Sequence, residues 1–232
     1  LEVFGLNYHP KLYESWHAQH PQQPIIGSET SSQVSDRTEY ADNLASARVS
    51  SYDIVHPGGF HLSWTQTAQE AWCAVVRKDF VAGAFVWTGF DYRGEPSPFS
   101  WPNVNSHFGV LDLAGFEKAG FYYYQSVFFK AAERPIAKII PERWDFTAGK
   151  RVDVWVYTNG EEVELFINDR SLGKKSKQRS CAHDVKWTVP FEPGELRAVV
   201  RVAGRRFATN SIKTPGPAAA IHLQAAWGHD GF

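Results

Sequence analysis

The chain has 232 residues, 43% of them hydrophobic, and a formal charge of −1, room for a sizeable core in one or two domains and far from the basic balance of a nucleic-acid binder. No run approaches the roughly 18 apolar residues of a membrane span, and the first ten residues, LEVFGLNYHP, lack the basic start and apolar middle of a signal peptide. A soluble globular protein, with neither nucleic acid nor membrane as partner, is expected.

The near-neutral total hides an asymmetry: 13 acidic against 8 basic side chains up to residue 132, and 12 against 16 after it. The basic surplus sits in turns such as GKKSKQR (173–179) without aromatic or glycine interleaving, which reads as solvated surface. Cys73 and Cys181 lie far apart in unlike surroundings, so two buried thiols are expected rather than a disulfide framework. Aromatic residues make up 15% of the chain, many in polar company, which suits the apolar faces of sugars as well as ordinary packing.

In chain order, EVFGLNY reads as a buried strand, KLYESWHAQH as a short helix started after Pro10, and PIIGSE as a second strand. Within SWTQTAQEAWCAVVRKDF, the residues Ala68, Ala71, Trp72, Val75 and Val76 recur at helical spacing, giving an amphipathic helix with Ser63 or Thr65 as cap. VAGAFVWTGFDY is a third strand and GFYYYQSVFFK an aromatic helix. This alternation predicts parallel βα units over residues 1–134.

From about residue 135 the period changes to two. RVDVWVYTN sets Val152, Val154 and Val156 against Arg151, Asp153 and Trp155, and EVELFIND, HDVKWTVP, GELRAVVRVAG and RRFATNSIKT follow at intervals of roughly 8 to 12 residues. A β-sandwich over 135–215 is expected, with NGEE and NDRSLG as hairpin turns. Residues 216–232 read as a Pro-Gly linker and the start of a further strand. Three βα units alone leave a parallel sheet poorly covered, so both ends of the chain look cut and an upstream portion is expected.

If residues 1–134 end a (β/α)₈ barrel, reactive groups belong at the strand tips, here Asn7-Tyr8-His9, Ser28-Glu29 and Trp87 through Asp91. A carboxylate, a phenol and an indole at one mouth are the equipment of a glycoside hydrolase. Spacing alone leaves Glu29 equally readable as a solvated strand end. No histidine or cysteine pair has zinc-ligand spacing, and no phosphate loop, dinucleotide fingerprint or calcium loop occurs.

The stretches GLNYHPKLYESWHAQHPQQPIIGSETSS, FVAGAFVWTGFDYRGEP, SHFGVLDLAGFEKAGFYYYQSVF and VELFINDRSLGKK resemble the glycoside hydrolase family 2 β-galactosidases. The resemblance covers the C-terminal part of their catalytic TIM barrel and the immunoglobulin-like domain after it. It implies α/β plus all-β architecture and a retaining, double-displacement cleavage of terminal β-D-galactosyl residues. It puts Glu29 at the nucleophile, Tyr8 in contact with that nucleophile, and Trp87 on the wall of the sugar pocket. Asn7, His9 and Asp91 are further substrate-binding candidates, and Glu95 shares the segment of Asp91. Asn105 and His107 lie where some relatives hold a sugar or a cation.

By the same resemblance no organic cofactor is required, a magnesium or sodium ion at an oxygen site is allowed, and a homo-oligomer is open. The family's acid/base glutamate follows an asparagine on an earlier strand. The seven asparagines here are followed by Tyr, Leu, Val, Ser, Gly, Asp and Ser. A retaining site needs that second carboxyl about 5 to 5.5 Å from the nucleophile, so the chain by itself is expected to be inactive and completed by upstream sequence of the same enzyme. A β-glucuronidase or β-mannosidase of the same family is the near alternative, and a non-catalytic carbohydrate-binding or structural module the distant one. The sandwich is expected to pack beside the barrel and not to touch substrate.

Overall fold

A computed structural model describes residues 2–37, 64–97, 99, 101–177, 181 and 183–223. The N-terminal part has strands β1 (Phe4–Asn7), β2 (Ile25–Ser31) and β3 (Val81–Trp87) in one parallel sheet, in that order. A 3-10 turn (Pro10–Leu12) and helix α1 (Tyr13–Gln19) follow β1, α2 (Ala68–Val76) precedes β3, and α3 (Ala119–Phe128) closes the region. The expected strand–helix alternation is observed. Leu6, Ile25 and Val81 from the three strands bury against Tyr13 of α1 and Val75 of α2.

Helix α2 is shorter than the periodic stretch suggests and starts at neither expected cap. Thr67 is the cap: its hydroxyl accepts from the Glu70 backbone N–H at 3.1 Å, while the Glu70 carboxylate accepts from the Thr67 N–H at 2.9 Å. This reciprocal pair satisfies two of the helix's otherwise orphaned donors. Thr65 lies before the helix, and Ser63 falls outside the described residues.

The second part is a two-sheet sandwich. One sheet has order β4 (Ala137–Ile140), β5 (Arg151–Thr158), β8 (Asp184–Pro190); the other has order β10 (Arg205–Lys213), β9 (Glu195–Val202), β6 (Glu162–Ile167), β7 (Arg170–Ser176). All pairings are antiparallel. Val152, Val154 and Val156 meet Val163, Leu165 and Leu196 in the shared core, as period two requires. The expected hairpin at NDRSLG is present between β6 and β7, tightened to the two residues Asn168 and Asp169 at φ 47° and 63°.

NGEE is not a hairpin. It carries the chain from β5 in one sheet to β6 in the other, and a Cβ on Gly160 would lie 2.2 Å from a Val200 methyl. Residues 216–223 form no strand, and the remainder of the expected further strand lies outside the described residues.

The outer face of β5 is buried too. Trp155 and Tyr157 leave the sandwich core and pack with Ile140 on Ala68 of α2 and on Ala119, Tyr123 and Tyr124 of α3. The Gln69 amide donates to the Tyr157 hydroxyl at 3.0 Å, and the Tyr123 hydroxyl donates to the Cys181 carbonyl at 3.0 Å. Cys73 of α2 and Cys181 form a disulfide, contrary to the expectation of two thiols. Packing of the two parts brings their Cα atoms to 5.2 Å, within bridging reach. The sandwich therefore grips the face of the parallel sheet's helices and so fixes the strands those helices cover.

Candidate active site

Parallel pairing puts the C-terminal tips of β1, β2 and β3 on one side of the sheet. Asn7 pairs with Glu29, and Ser31 with Trp87. The first tip is stitched tightly: the Tyr8 N–H donates to the Glu29 carbonyl at 3.0 Å, and Tyr8 turns at φ 54°. That left-handed turn redirects the phenol across the sheet end, where its hydroxyl donates to Glu29 Oε1 at 2.6 Å and also meets the Ser32 hydroxyl. Ser31 and Ser32 are left-handed as well, at φ 73° and 53°. Three residues at the tips of two neighbouring strands in sparsely allowed conformations mark a backbone held by its surroundings.

Gln66 supplies part of that hold. Its backbone N–H donates to the Ser31 carbonyl at 2.9 Å and its amide to the Tyr8 carbonyl at 3.2 Å. Trp64 stands edge-on to the Tyr8 ring with centroids 5.4 Å apart. Ser32, Trp64 and Gln66 were not among the sequence candidates, because they lie on loops with no periodicity to place them. Asn7 and His9 are exposed and line an open groove with Trp64 and Gln66.

Burial raises the Tyr8 phenol well above its ordinary value, and the hydrogen bond and charge of Glu29, with the charge of Glu95, push it the same way. Tyr8 is therefore a standing donor to the Glu29 carboxylate at any physiological pH.

Trp87 ends β3, its peptide bond to Thr88 is cis, and its ring meets the Tyr92 ring edge-on at 5.9 Å. Tyr92 in turn donates to Glu95 Oε2. Burial first, then the bond to Glu95, pushes the Tyr92 phenol up to about 12, with Trp87 acting in the opposite direction.

Asp91 is the correction among the candidates. It is 8% exposed, and both its oxygens are taken by the fully buried Lys118, at 2.8 Å and 2.7 Å, with the Gly109 N–H adding a third contact at 2.8 Å. Burial pushes its carboxyl up, and the ammonium opposes this. Lys118 also donates to the carbonyls of Ser35 at 2.8 Å and His107 at 3.3 Å. The pair ties the loops of Ser35, Asp91 and His107 together, and leaves Asp91 buried with both oxygens engaged. Gly109 permits this approach, since a Cβ there would lie 2.1 Å from the Asp91 nitrogen.

Asn105 and His107 sit in the same loop layer. Asn103 Nδ2 is 3.0 Å from His107 Nε2, and burial lowers the His107 imidazole below its usual value. Among the described residues, no group of three or more His, Cys, Asp or Glu is placed to hold a metal ion. No described helix is long and apolar enough to cross a membrane.

Comparison with known proteins extends these observations. A family model described as a domain of unknown function (DUF4982) matches residues 149–208, within the sandwich. Beta-galactosidase BoGH2A of Bacteroides ovatus is 37% identical over 235 residues, covering 96% of this chain and 27% of that protein. A beta-glucuronidase of Formosa agariphila is 24% identical over 225 residues, covering 94% of this chain and 22% of that protein. The crystal structure of a glycosyl hydrolase family 2 member from Bacteroides cellulosilyticus superposes with a TM-score of 0.69 at 25% identity, over 93% of this chain and 28% of that one. The chain thus spans about a quarter of the length of the relatives it matches.

Proposed function

We propose that this chain, which belongs to glycoside hydrolase family 2, is the nucleophile-bearing end of a (β/α)₈ catalytic barrel with the family's immunoglobulin-like sandwich behind it, and that the whole enzyme is a retaining β-galactosidase. The observation that carries the reading is the 2.6 Å hydrogen bond from Tyr8 to Glu29 across the tips of two parallel strands. A carboxylate that accepts from a half-buried phenol is held in one orientation, as a nucleophile must be.

In the first step a Glu29 oxygen attacks the anomeric carbon, the bond from that carbon to the leaving oxygen breaks, and the leaving oxygen takes a proton from a second carboxyl. In the second step water attacks the same carbon and gives its proton to that carboxylate. The glycosyl ester bond breaks and Glu29 is freed. Trp87 offers its face to the sugar, and Tyr8 holds Glu29 in line. The second carboxyl comes from residues outside these 232, because Asp91 is consumed by Lys118 and no asparagine here precedes a glutamate.

The test uses the whole enzyme. Nitrophenyl β-galactoside is expected to be hydrolysed in preference to the glucuronide and mannoside, and an activated 2-fluorogalactoside to leave its sugar on the peptide containing Glu29. Hydrolysis of none of them, with Glu29 unmodified, would instead support a non-catalytic carbohydrate-binding module. A β-glucuronidase is the second reading, favoured by the Formosa agariphila relative. It predicts the opposite order of glycosides with the same labelled residue.

A further inference from the structure

The loop after β3 presents a carboxylate that the chemistry above does not use. Gly94 and Glu95 both turn left-handed, at φ 90° and 43°, a conformation a glutamate adopts only when its surroundings impose it. Those surroundings are a second loop. The Gly94 N–H donates to the Val104 carbonyl at 2.8 Å, the Ser106 N–H to the Tyr92 carbonyl at 2.8 Å, and the Tyr92 N–H to the Ser106 hydroxyl at 3.0 Å.

The Glu95 side chain is thus aimed from a fixed base. One of its oxygens accepts from Tyr92, whose ring abuts Trp87, and its charge is felt at the Tyr8 phenol beside Glu29. Glu95 is exposed, and among the described residues no lysine or arginine pairs with it. An exposed carboxylate at a glycosidase mouth, with no cationic partner among the described residues, is open to whatever sugar enters.

We propose that Glu95 is a specificity-determining residue of this mouth, accepting hydrogen bonds from the hydroxyls of a neutral sugar on Trp87 and repelling a uronate. The inference rests on the glycosidase reading given above. Its chemistry is discrimination by an introduced repulsion as well as by an attraction: hydroxyls donate to a carboxylate, whereas a sugar carboxylate placed near it is a like charge in a partly desolvated site.

The discriminating substitution is Glu95→Gln. It keeps the shape and an acceptor oxygen for Tyr92 and removes only the charge, so a purely structural pin would be little changed. In the whole enzyme, dissociation constants are measured for a neutral lactone, galactonolactone, and an acidic one, glucarolactone. E95Q is expected to weaken the neutral lactone about tenfold and to leave the acidic one unchanged or tighter, moving their ratio at least about tenfold. Equal changes for both lactones, or no change in either, would overturn the proposal. Failure of the unsubstituted enzyme to bind either lactone is a different outcome, and it removes the glycosidase reading itself together with this one.

Discussion

The Tyr8 hydroxyl donates to the Glu29 carboxylate at 2.6 Å, although 21 residues separate them in the chain. Parallel pairing of β1 with β2 creates this contact, and the left-handed turn at Tyr8 aims it. Tyr8→Phe keeps the ring and its edge contact with Trp64 while deleting one hydrogen bond to a charged group. Such a bond is worth about 1.5–3 kcal/mol. If most of it is realised in the transition state, kcat/KM of the whole enzyme falls about ten- to a hundredfold with an unchanged melting temperature. Wild-type kinetics from the Y8F enzyme would remove Tyr8 from the mechanism.

Lys118→Met tests the buried pair. It strands the Asp91 carboxylate at 8% exposure, together with carbonyls that the ammonium had satisfied. Breaking such a pair from one side costs about 3–5 kcal/mol, and neutralising both partners costs less than leaving one charge alone. Denaturant unfolding is therefore expected to rank wild type above D91N/K118M, and the double variant above K118M. A K118M protein as stable as wild type would mean that Asp91 does not need its ammonium.

These two pairs differ in how far the sequence exposes them. Strand-like segments end at Glu29 and Tyr8 and parallel connection puts both ends on one side, so their proximity is within reach of the sequence, although spacing alone leaves Glu29 equally readable as a solvated strand end. Lys118 is not within such reach, because a lone lysine in FEKAGF reads as surface, and only its pairing with Asp91, 27 residues earlier, makes burial tolerable. The TAQE capping signature lies in the sequence at the start of the apolar period, and the cap is its Thr67, not the expected Ser63 or Thr65. Strand alternation located the sandwich core but assigned Trp155 only to its outer side. That this side is covered by α2 and α3 depends on tertiary packing no local period encodes. The same holds for the Cys73–Cys181 bond, across a separation of 108 residues.

His183 provides a pH prediction. It sits in the interface between the two parts, its Nδ1–H donating to the Ser126 carbonyl at 2.8 Å, and burial first, with the charge of Lys177, lowers its pKa. The unfolded chain therefore takes up a proton at a higher pH than the folded one. Stability from this group is complete above the ordinary imidazole range near pH 6.5 and is lost as pH falls toward the depressed folded value. His107, lowered mainly by burial, acts in the same direction. Each can steepen the loss by at most about 1.4 kcal/mol per pH unit. Melting curves from pH 7.5 to 5 should flatten in His183→Gln, and an unaltered slope in that variant would refute the assignment.

The Cys73–Cys181 disulfide joins helix α2 to the segment entering β8, so it crosses the interface built by Trp155 and Tyr157. Closing a loop of that length restricts the unfolded chain, and disulfides of this kind typically contribute about 2–4 kcal/mol. Reduction, or the substitutions Cys73→Ala and Cys181→Ala together, is expected to lower the melting temperature. Because the Gln69–Tyr157 and Tyr123–Cys181 hydrogen bonds and the aromatic packing do not involve either sulfur, the two parts should stay docked at room temperature. Peptide mapping without reductant should recover residues 73 and 181 in one cross-linked species. Alkylation of both cysteines in the untreated native protein would refute the bond, and a melting temperature indifferent to reductant would refute its contribution to holding the sandwich on the N-terminal part.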